Sequence, residues 1–513
     1  MLSSGLRALP AGCRTSRAEA TPMDVCPSSG FSLLALPTDL LTTVLQQASI
    51  GARELCCLEA CASALKNAID ESIWRTVFLH QRRPNALREP ENWKQEFARR
   101  DSWSSGWRQL IASANMPIPN TRLGGHTQKL RRFALKIMSS VPISPSPKYM
   151  THIVDPRGLQ PGSHLTINDA LSRAKPYDVV MLEPGTYHER LRIERPVEVV
   201  GRGPHGSCTI IGTDGPTIEA SSRIACRIAR VCIEQKAQND GSAMSGAVLV
   251  KGGALMIVEE CSVSSDTGHC IVVQGAESCG YILHNHVHHG KGVGVLVCDN
   301  AKGVIEDNVI ACNGRAGIAI LSGGDPLVMA NKIHDGMDSG VLVSERGRGR
   351  IEENDIFGNR RAGVAILKEG APLVKRNKIH DGRDSGVLVC ENGKGSVVDN
   401  DIFANQMAGV AIGRGGASRI TGNIIRDGNG GSLCLSAHSR GLISANVIHQ
   451  DPRAAMQVPD GLMSEVKEHN LIRYATVDDG ATYNETSPRA SCSRSVTPQA
   501  RCFSMPRSNA LLV

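Results

Sequence analysis

The chain has 513 residues and a formal net charge of +7 at pH 7, and only 3% of its residues are aromatic. This length predicts two or three domains. The mild basic excess forms no concentrated stripe, so the composition does not require a nucleic-acid partner, and no apolar run reaches membrane-spanning length. The 17 cysteines are scattered without a zinc-binding pattern, which predicts buried or free thiols in a reducing compartment.

The first part of the chain contains two segments that differ in composition and in the spacing of their apolar residues. Residues 1–30 are rich in Pro, Ser, Gly and Cys without a period, and they predict a disordered tail. From Phe31 onward short apolar stripes at helical spacing predict a helical domain over residues 31–112. Pro37 followed by Asp39 is typical of a helix start. All four tryptophans fall between Trp74 and Trp107, which marks this domain as separate from the rest of the chain.

Within this domain one stretch carries a distinctive pattern of a Leu-Pro pair, an acid with two leucines, further apolar pairs and a closing tryptophan. Its residues are Leu36, Pro37, Asp39, Leu40, Leu41, Val44, Leu45, Leu55, Leu58 and Trp74. In this pattern the stretch resembles an F-box, although residues 60–65 (ACASAL) depart from the family's usual Val-(Ser/Cys)-(Arg/Lys)-x-Trp run. The resemblance implies that the apolar residues and Trp74 bind an adaptor protein. A plain helical bundle is the alternative, because it shows the same leucine stripes.

Residues 113–150 contain Pro and Ser and a basic patch (Lys129, Arg131, Arg132 and Lys136), and they predict a linker. From Thr151 onward the sequence predicts mainly strands. A helix is predicted from Ile167 to Ala174, and the strand-like runs VVML, LRIE and VEVVG follow it. This segment resembles the opening of pectate-lyase-like β-helices, in which a short helix caps the end of the core. Such a cap is needed because an open solenoid end exposes unpaired strand edges.

The repeat region is organised by an asparagine that recurs every 23 residues: Asn285, Asn308, Asn331, Asn354, Asn377, Asn400, Asn423 and Asn446. Three apolar columns keep this step. The first is Val287, Ile310, Ile333, Ile356, Ile379, Ile402, Ile425 and Ile448. The second is Val295, Ile318, Val341, Val364, Val387, Val410 and Leu433. The third is Ile282, Ile305, Val328, Ile351, Val374, Val397, Ile420 and Ile443. A glycine column precedes the second: Gly294, Gly317, Gly340, Gly363, Gly386 and Gly409.

A strict step of this length predicts one supersecondary unit stacked on copies of itself. The unit is too short for two helices and it lacks the Leu-x-Leu spacing of a leucine-rich repeat, whereas three short strands fit it. The pattern therefore predicts a right-handed parallel β-helix over residues 151–450, with turns about 4.8 Å apart and apolar ladders inside. The asparagines are expected to bond amide to amide at a corner with a left-handed backbone, and the glycines to form another bend.

The combination of an F-box-like stretch with this solenoid resembles the F-box-only proteins that carry carbohydrate-binding-and-sugar-hydrolase-type repeats. The fold class is thus a small all-α domain followed by an all-β right-handed parallel β-helix, with a disordered tail over residues 451–513. The resemblance implies a substrate-recognition subunit of an SCF-type cullin–RING ubiquitin ligase, which binds the S-phase-kinase-associated adaptor and a cullin in the cytoplasm or nucleus. It implies no cofactor, no membrane partner and no catalytic residue in this chain.

Charged residues of the repeats form three columns whose sign alternates from turn to turn. They are Lys332, Asp355, Lys378 and Asp401; Arg315, Asp338, Arg361 and Asp384; and Glu345, Lys368, Glu391 and Arg414. A 46-residue duplication explains the alternation. Residues of opposite charge in adjacent turns of a column are expected to form ion pairs. This pattern favours charge ladders over the paired acids of a glycosidase. His334 and His380 predict no metal site, because two turns and Phe357 separate them.

The most polar residues of the regular turns follow the asparagine corner and precede the glycine column. These residues are Arg315, Asp338, Arg360, Arg361, Arg383 and Asp384. We expect them outside the core, where arginines could bind carboxylates or phosphates of a protein substrate. Two other hypotheses stay open: a carbohydrate-binding or carbohydrate-active β-helix, and a non-catalytic scaffold with a degenerate F-box.

Overall fold

The computed structural model describes residues 150–236, 246–451 and 454–474. These residues form a right-handed parallel β-solenoid in which each turn, except at the two ends, contributes one short strand to each of three sheets. We call one such turn a rung. The F-box-like stretch from Leu36 to Trp74 lies outside the described residues, so the predicted helical domain stays a prediction. Neither described helix is long and apolar enough to cross a membrane.

All strand pairs in the three sheets are parallel, and every sheet runs the length of the described solenoid. Sheet 1 consists of β1 (Thr151–Val154), β2 (Val179–Leu182), β5 (Glu198–Gly201), β8 (Ala225–Ala229), β11 (Leu255–Glu259), β14 (Cys279–Leu283), β17 (Lys302–Glu306), β20 (Asp325–Met329), β23 (Arg350–Glu352), β26 (Leu373–Lys375), β29 (Ser396–Val398), β32 (Arg419–Thr421) and β35 (Leu442–Ser444).

Sheet 2 consists of β4 (Leu191–Ile193), β7 (Ile218–Ser221), β10 (Gly246–Lys251), β13 (His269–Gln274), β16 (Val295–Cys298), β19 (Ile318–Ile320), β22 (Val341–Val343), β25 (Val364–Ile366), β28 (Val387–Val389), β31 (Val410–Ile412) and β34 (Leu433–Leu435). Sheet 3 consists of β3 (Gly185–His188), β6 (Cys208–Gly212), β9 (Cys232–Gln235), β12 (Ser262–Ser265), β15 (His286–His288), β18 (Val309–Ala311), β21 (Lys332–His334), β24 (Asp355–Phe357), β27 (Lys378–His380), β30 (Asp401–Phe403), β33 (Ile424–Arg426), β36 (Val447–Gln450) and β37 (Leu471–Tyr474).

The three predicted apolar columns fill the interior, one from each sheet. In sheet 3 the register pairs Ile310 with Ile333 and Ile333 with Ile356, so like residues lie on like residues. All members of the three columns are buried. In sheets 1 and 3 the middle residue of each three-residue strand points inward, whereas in sheet 2 the first and third residues point inward and the middle one, such as Leu342, points outward. The solenoid prediction is confirmed at the level of its core.

The predicted asparagine ladder lies at the corner between sheets 1 and 3. The side-chain Nδ2 of Asn331 donates to Oδ1 of Asn354 at 2.9 Å and to the carbonyl of Ile305 at 2.7 Å, and the backbone N of Asn331 donates to the same Oδ1 at 2.9 Å. The left-handed residue is not the asparagine but the one before it, such as Glu353 with φ of 56°. The side chain rather than the φ preference of asparagine therefore explains this column.

The glycine column forms no left-handed bend, which corrects the prediction. A Cβ added to Gly340 would lie 2.4 Å from Cγ2 of Ile356 and 2.7 Å from the carbonyl oxygen of Gly363. Both distances are far below van der Waals contact. Glycine is required here because the corner backbone packs directly on the core isoleucine of the next rung.

Both ends of the described solenoid carry a helix. The predicted helix is confirmed as α1 (Ile167–Arg173), and the carboxylate of Glu189 accepts the backbone N–H of Ile167 at 2.8 Å and of Asn168 at 2.9 Å. This carboxylate satisfies donors that the first turn of a helix leaves without partners.

The prediction of a disordered tail from residue 451 differs from the structure. Helix α2 (Asp460–His469) packs on β35, and β37 follows it and pairs with β36. Asn470 extends the asparagine ladder, because its Oδ1 accepts the backbone N of Asn446 at 3.0 Å. The step from Asn446 is 24 residues, so a strict 23-residue period misses this last rung. Residues 475–513 lie outside the described residues.

Candidate functional site

A continuous column of rings and cations follows the outer face of sheet 3. It consists of the last residue of five successive strands from β21 to β33, and we call it the ring ladder: His334, Phe357, His380, Phe403 and Arg426. The strand register places these residues directly above one another, while the isoleucine before each of them points into the core. The ring ladder is partly exposed at every position.

The rings of the ladder stack face to face. The centroids of His334 and Phe357 are 4.8 Å apart with an interplanar angle of 4°, and those of His380 and Phe403 are 4.6 Å apart with an angle of 3°. The guanidinium of Arg426 lies 4.1 Å from the centroid of Phe403 and closes the stack with a cation–π contact. Because the faces are covered by neighbours, the ring edges and the polar atoms remain for a ligand.

Carboxylates hold the nitrogen-bearing members of the ladder in place. His380 bonds through Nδ1 to Asp381 at 2.7 Å and through Nε2 to Asp355 at 2.9 Å. Arg426 repeats this arrangement two rungs later, with Asp427 at 3.1 Å and Asp401 at 3.0 Å. The same geometry thus serves a histidine in one copy of the 46-residue unit and an arginine in the next.

The charge state of His380 follows from these contacts. Burial lowers its pKa, but the hydrogen bonds and charges of Asp355 and Asp381 outweigh burial, and the net pKa lies above the usual histidine value. The hydrogen bond from His380 is in turn the largest reason why the pKa of Asp355 is lowered. The cation therefore persists to higher pH than in an isolated histidine.

The predicted Lys–Asp column lies next to the ladder on the same face, but its pairing differs from the prediction. Lys332 registers with Asp355, as expected, yet Asp355 makes its close contact with His380 on the following rung. Lys332 instead places its Nζ 5.4 Å from the centroid of Phe357. The ion pairs of Asp355 with His380 and of Asp401 with Arg426 therefore run diagonally between the two columns.

The predicted substrate residues lie in the turn between sheets 3 and 2, directly beside the ring ladder. Arg315, Arg360, Arg361 and Arg383 are exposed there, and Asp338 and Asp384 are half-buried. The Nε of Arg361 lies 3.6 Å from Oδ1 of Asp338, as the alternating column predicts. The charge of Arg315 also affects His269. The burial of His269 is the larger cause and the charge of Arg315 the smaller one, and together they lower the pKa of His269 to about 4.

A second asparagine ladder, which the sequence reasoning missed, supports this turn. Oδ1 of Asn359 accepts the backbone N–H of Gly336 at 3.0 Å, and Oδ1 of Asn405 accepts that of Gly382 at 3.1 Å. Asn313 occupies the same place two rungs earlier. Glycine and asparagine alternate here, so the signal appears only at a 46-residue step. The ring ladder itself is visible as a 23-residue column of the sequence.

Within the described residues, the acids of this face are positioned by cations, and no group of three or more His, Cys, Asp or Glu side chains could hold a metal ion. His334 and His380 lie on either side of the Phe357 ring, in contact with it. The face presents ring edges, two histidines, ordered carboxylates and, in the adjacent turn, several arginines.

The chain is similar to known proteins in its solenoid. The right handed β-helix region family matches residues 205–332 and 326–470, which together include just over half of the 513 residues. The A-module of the mannuronan C-5 epimerase AlgE6 from Azotobacter vinelandii has 17% identity and a TM-score of 0.44, over 60% of this chain and 93% of that chain. The pectate lyase Pel9A has 14% identity and a TM-score of 0.39, over 58% of this chain and 80% of its own.

A structure of XylC in complex with xylose has 12% identity and a TM-score of 0.49, and the match includes 65% of this chain and 88% of that chain. All three identities and TM-scores are too low to transfer an activity or a ligand to this chain.

Proposed function

The chain belongs to the family of proteins with a right handed β-helix region, and we propose that it is the substrate-recognition subunit of an SCF-type cullin–RING ubiquitin ligase. The observation that carries the proposal is the F-box-like stretch from Leu36 to Trp74 in the same chain as the solenoid. On this proposal the F-box binds the S-phase-kinase-associated adaptor, the solenoid binds a protein substrate, and the protein works in the cytoplasm or nucleus.

We place the substrate on the ring ladder and on the exposed arginines of the adjacent turn. The two groups form one surface, since the turn begins at the residue after each ladder position. Arg360, Arg361 and Arg383 can fork onto carboxylates or phosphates, and His380 adds a cation held by two aspartates. A rigid scaffold that presents such groups in a line suits an extended peptide with acidic or phosphorylated residues.

The adaptor step is tested by copurification. Replacing Leu36→Ala and Pro37→Ala in the full chain removes the leading apolar anchors of a helix-in-groove contact, and adaptor and cullin should be lost. The matched control is Leu9→Ala with Pro10→Ala, a second Leu-Pro pair in the predicted tail, which should leave both partners bound. Adaptor retained at unchanged affinity by the first variant would refute the F-box assignment.

The substrate step is tested by charge reversal. Arg361→Glu with Arg383→Glu should abolish capture of substrates in a proximity-labelling comparison, with little change in melting temperature. Arg348→Glu with Lys394→Glu is the matched control, because both residues are exposed on the opposite turn, between sheets 2 and 1. If the first pair of arginines only stabilises the turn, the melting temperature falls slightly and the captured proteins stay the same.

The second candidate function is carbohydrate binding by the same face, favoured by the two partly exposed phenylalanine rings on either side of His380. Phe357→Ala with Phe403→Ala removes them while keeping the arginines of the turn. Retention of polysaccharides by the wild-type protein but not by this variant, or release of sugar from a polysaccharide panel, would support the second candidate. Loss of protein substrates alone supports the first.

A further inference from the structure

The outer face of sheet 2 carries a central column in which leucine and alanine alternate from rung to rung. Its members are the second residues of successive strands from β16 to β31: Leu296, Ala319, Leu342, Ala365, Leu388 and Ala411. Val272 and Cys434 continue the column at its two ends. The leucines are half-buried, and the alanines between them are buried. A long apolar column on an outward surface is typical of an interface.

Two columns of small and apolar residues flank the central one. Toward sheet 3 they are Val293, Ala316, Ser339, Ala362, Ser385 and Ala408. Toward sheet 1 they are Cys298, Leu321, Ser344, Leu367, Cys390 and Gly413. Members of all three columns form an apolar cluster that is separate from the solenoid interior. We call the three columns together the sheet 2 face.

The bulk of the side chains on this face alternates with a period of two rungs. Beside Ala319 the column toward sheet 1 has Leu321, whereas beside Leu342 it has Ser344. The large side chain therefore lies at the centre in one rung and at the side in the next. Each rung has a hollow where the following rung has a projection.

Charged residues form a rim on both sides of the face, and their sign follows the same period. The leucine rungs carry acids at the rims: Asp299, Asp338, Glu345, Asp384 and Glu391. The alanine rungs carry bases: Arg315, Arg361, Lys368 and Arg414. All of these side chains are exposed or half-buried. A leucine rung is therefore complementary to an alanine rung in both bulk and charge.

We propose that the sheet 2 face is the interface of a homodimer in which a second copy packs on it with its solenoid axis reversed. The two-fold axis runs along the strand direction, between the rungs of Leu342 and Ala365. It places each rung opposite the rung that lies equally far on the other side of the axis. The strands of the two faces then point the same way, as in aligned packing of two sheets.

This arrangement places every large central side chain opposite a small one. Leu342 of one copy lies opposite Ala365 of the other, and Ala319 lies opposite Leu388. In the column toward sheet 1, Leu321 meets Cys390 and Ser344 meets Leu367. Leucines of one copy thus enter hollows of the other, which is how the side chains of packed sheets interdigitate.

The same arrangement places opposite charges against each other along both rims. The facing pairs are Asp338 with Arg361, Arg315 with Asp384, Glu345 with Lys368, Arg346 with Glu369, and Asp299 with Arg414. Two-fold symmetry makes each pair occur twice. If the second copy slid by one rung along the axis, Leu342, Asp338 and Glu345 would each face their own copies. Charge and bulk therefore select one register.

The size of the face suffices for a stable dimer. It includes the rungs from Val272 to Cys434, which span about 38 Å at the rung spacing. The two flanking columns are about 17 Å apart along the strand. The footprint is thus about 650 Å² per copy and about 1,300 Å² in total, within the range of specific interfaces.

Other occupants match the face less well. An α-helix repeats its apolar stripe every seven residues, or about 10.5 Å, and drifts against a two-rung period of about 9.6 Å. A single extended peptide covers one column and leaves a rim without partners. A second copy has the period and the width of the face by identity, so its complementarity persists over every rung.

The first test measures the molar mass of the full chain by sedimentation over a range of concentrations. The wild-type protein should form dimers, and Leu342→Glu with Leu388→Glu should give monomers, because the dimer would bury four unpaired carboxylates. The matched control is Leu373→Glu with Leu442→Glu, since both leucines point outward from sheet 1. This control should stay dimeric. Thermal melting by circular dichroism checks that the solenoid of each variant is folded.

The second test separates contacts between copies from contacts within a chain. Glu345→Lys with Glu369→Lys makes both rims of the turn between sheets 2 and 1 basic, and Arg346→Glu with Lys368→Glu makes them acidic. Each variant alone should raise the dissociation constant of the dimer by about tenfold or more, because like charges face each other. Mixing the two variants should restore dimers, since every substituted position then faces an opposite charge in the other copy.

An intramolecular role predicts a different result for the mixture. Within one chain, Lys368 lies 3.7 Å from Glu345, and Arg346 lies 2.9 Å from Glu369. Both pairs become like-charged in either variant, and mixing cannot repair them. Recovery of dimers in the mixture therefore reports facing residues of two copies.

Three results would overturn the proposal. They are a wild-type protein that is monomeric up to about 100 μM, a folded leucine variant that stays dimeric, and charge variants that dimerise no better when mixed than alone. Should the leucine variant fail to fold, the charge variants decide the question, because their substitutions lie on the surface. No ligase component enters these measurements, so their outcome is independent of the proposed function.

Discussion

Replacing one asparagine in the middle of the corner ladder tests how the solenoid is held together. In the native protein Oδ1 of Asn354 accepts both the backbone N–H and the Nδ2 of Asn331 at 2.9 Å each. Its own Nδ2 donates to the carbonyls of Val328 and Glu352 and to Oδ1 of Asn377, at 2.9 to 3.0 Å. In Asn354→Ala all five hydrogen bonds are lost.

The cost can be estimated from the groups that lose their partners. The backbone N–H of Asn331 is buried and loses its acceptor, which costs about 1–3 kcal/mol, and the other lost bonds add roughly 1 kcal/mol net. We therefore expect Asn354→Ala to lower the free energy of unfolding by about 2–4 kcal/mol. Because rungs contact only their neighbours, amide exchange should accelerate most in the rungs next to Asn354.

Urea denaturation and native-state hydrogen exchange measure this effect, with Asn429→Ala as the control. Asn429 is exposed in the turn after β33, and its backbone N donates to the carbonyl of Asn405 at 3.0 Å, a bond that alanine keeps. The control should change stability by no more than about 0.5 kcal/mol. Equal losses in the two variants would show that the amide ladder does not stabilise the solenoid.

Two further predictions concern the charge of the ring ladder and the close packing of the glycine column. His380 has a raised pKa in the folded state, so its contribution to stability is complete below the unfolded pKa and is lost as pH rises through the folded value. The melting temperature of the wild-type protein should therefore fall more between about pH 6 and pH 8 than that of His380→Asn; parallel curves would contradict this. Gly340→Ala should destabilise by about 1–3 kcal/mol, because its Cβ would overlap Ile356. Gly461→Ala, in α2 with open space around it, should stabilise by about 0.5–1 kcal/mol. The free energy of unfolding of both variants is measured by urea denaturation. A change in the same direction for Gly340→Ala and Gly461→Ala would refute the packing argument.

The sequence predicts the solenoid well where a residue type repeats because every rung has the same neighbour. The Ile310, Ile333 and Ile356 column is such a case, since each isoleucine packs on its copy in the next rung. It predicts poorly where the partner is not one period away. The contact of Asp355 with His380 runs diagonally, and Asn470 follows the ladder after 24 residues.

A different signal indicates that the strands in the first half of sheet 1 are apolar on both faces, and a search for 23-residue columns does not use it. A strand with one solvent-exposed face alternates apolar and polar residues, as in Arg350-Ile351-Glu352. The run from Leu255 to Val258, by contrast, is apolar without interruption. Uninterrupted runs indicate strands that are buried on both faces. The candidate site is predicted only in part for a related reason: charge identifies the arginines of the turn, whereas Phe357 enters only as a separator of His334 and His380, and Phe403 is not among the predicted residues.

The two-rung alternation also sets a requirement on what the ring ladder can bind. His334, His380 and Arg426 occupy every second rung, so neighbouring nitrogen-bearing positions are about 9.6 Å apart along the solenoid axis. A peptide in the polyproline II conformation advances about 3.1 Å per residue and brings every third side chain to the same side, so three of its residues span this distance. A partner lying along the axis therefore meets every nitrogen-bearing position if it places an acidic or phosphorylated side chain at every third residue. Spacings of two or four residues fall out of register after one step, so on the proposed function the ladder would select for the spacing of charges and not only for their number.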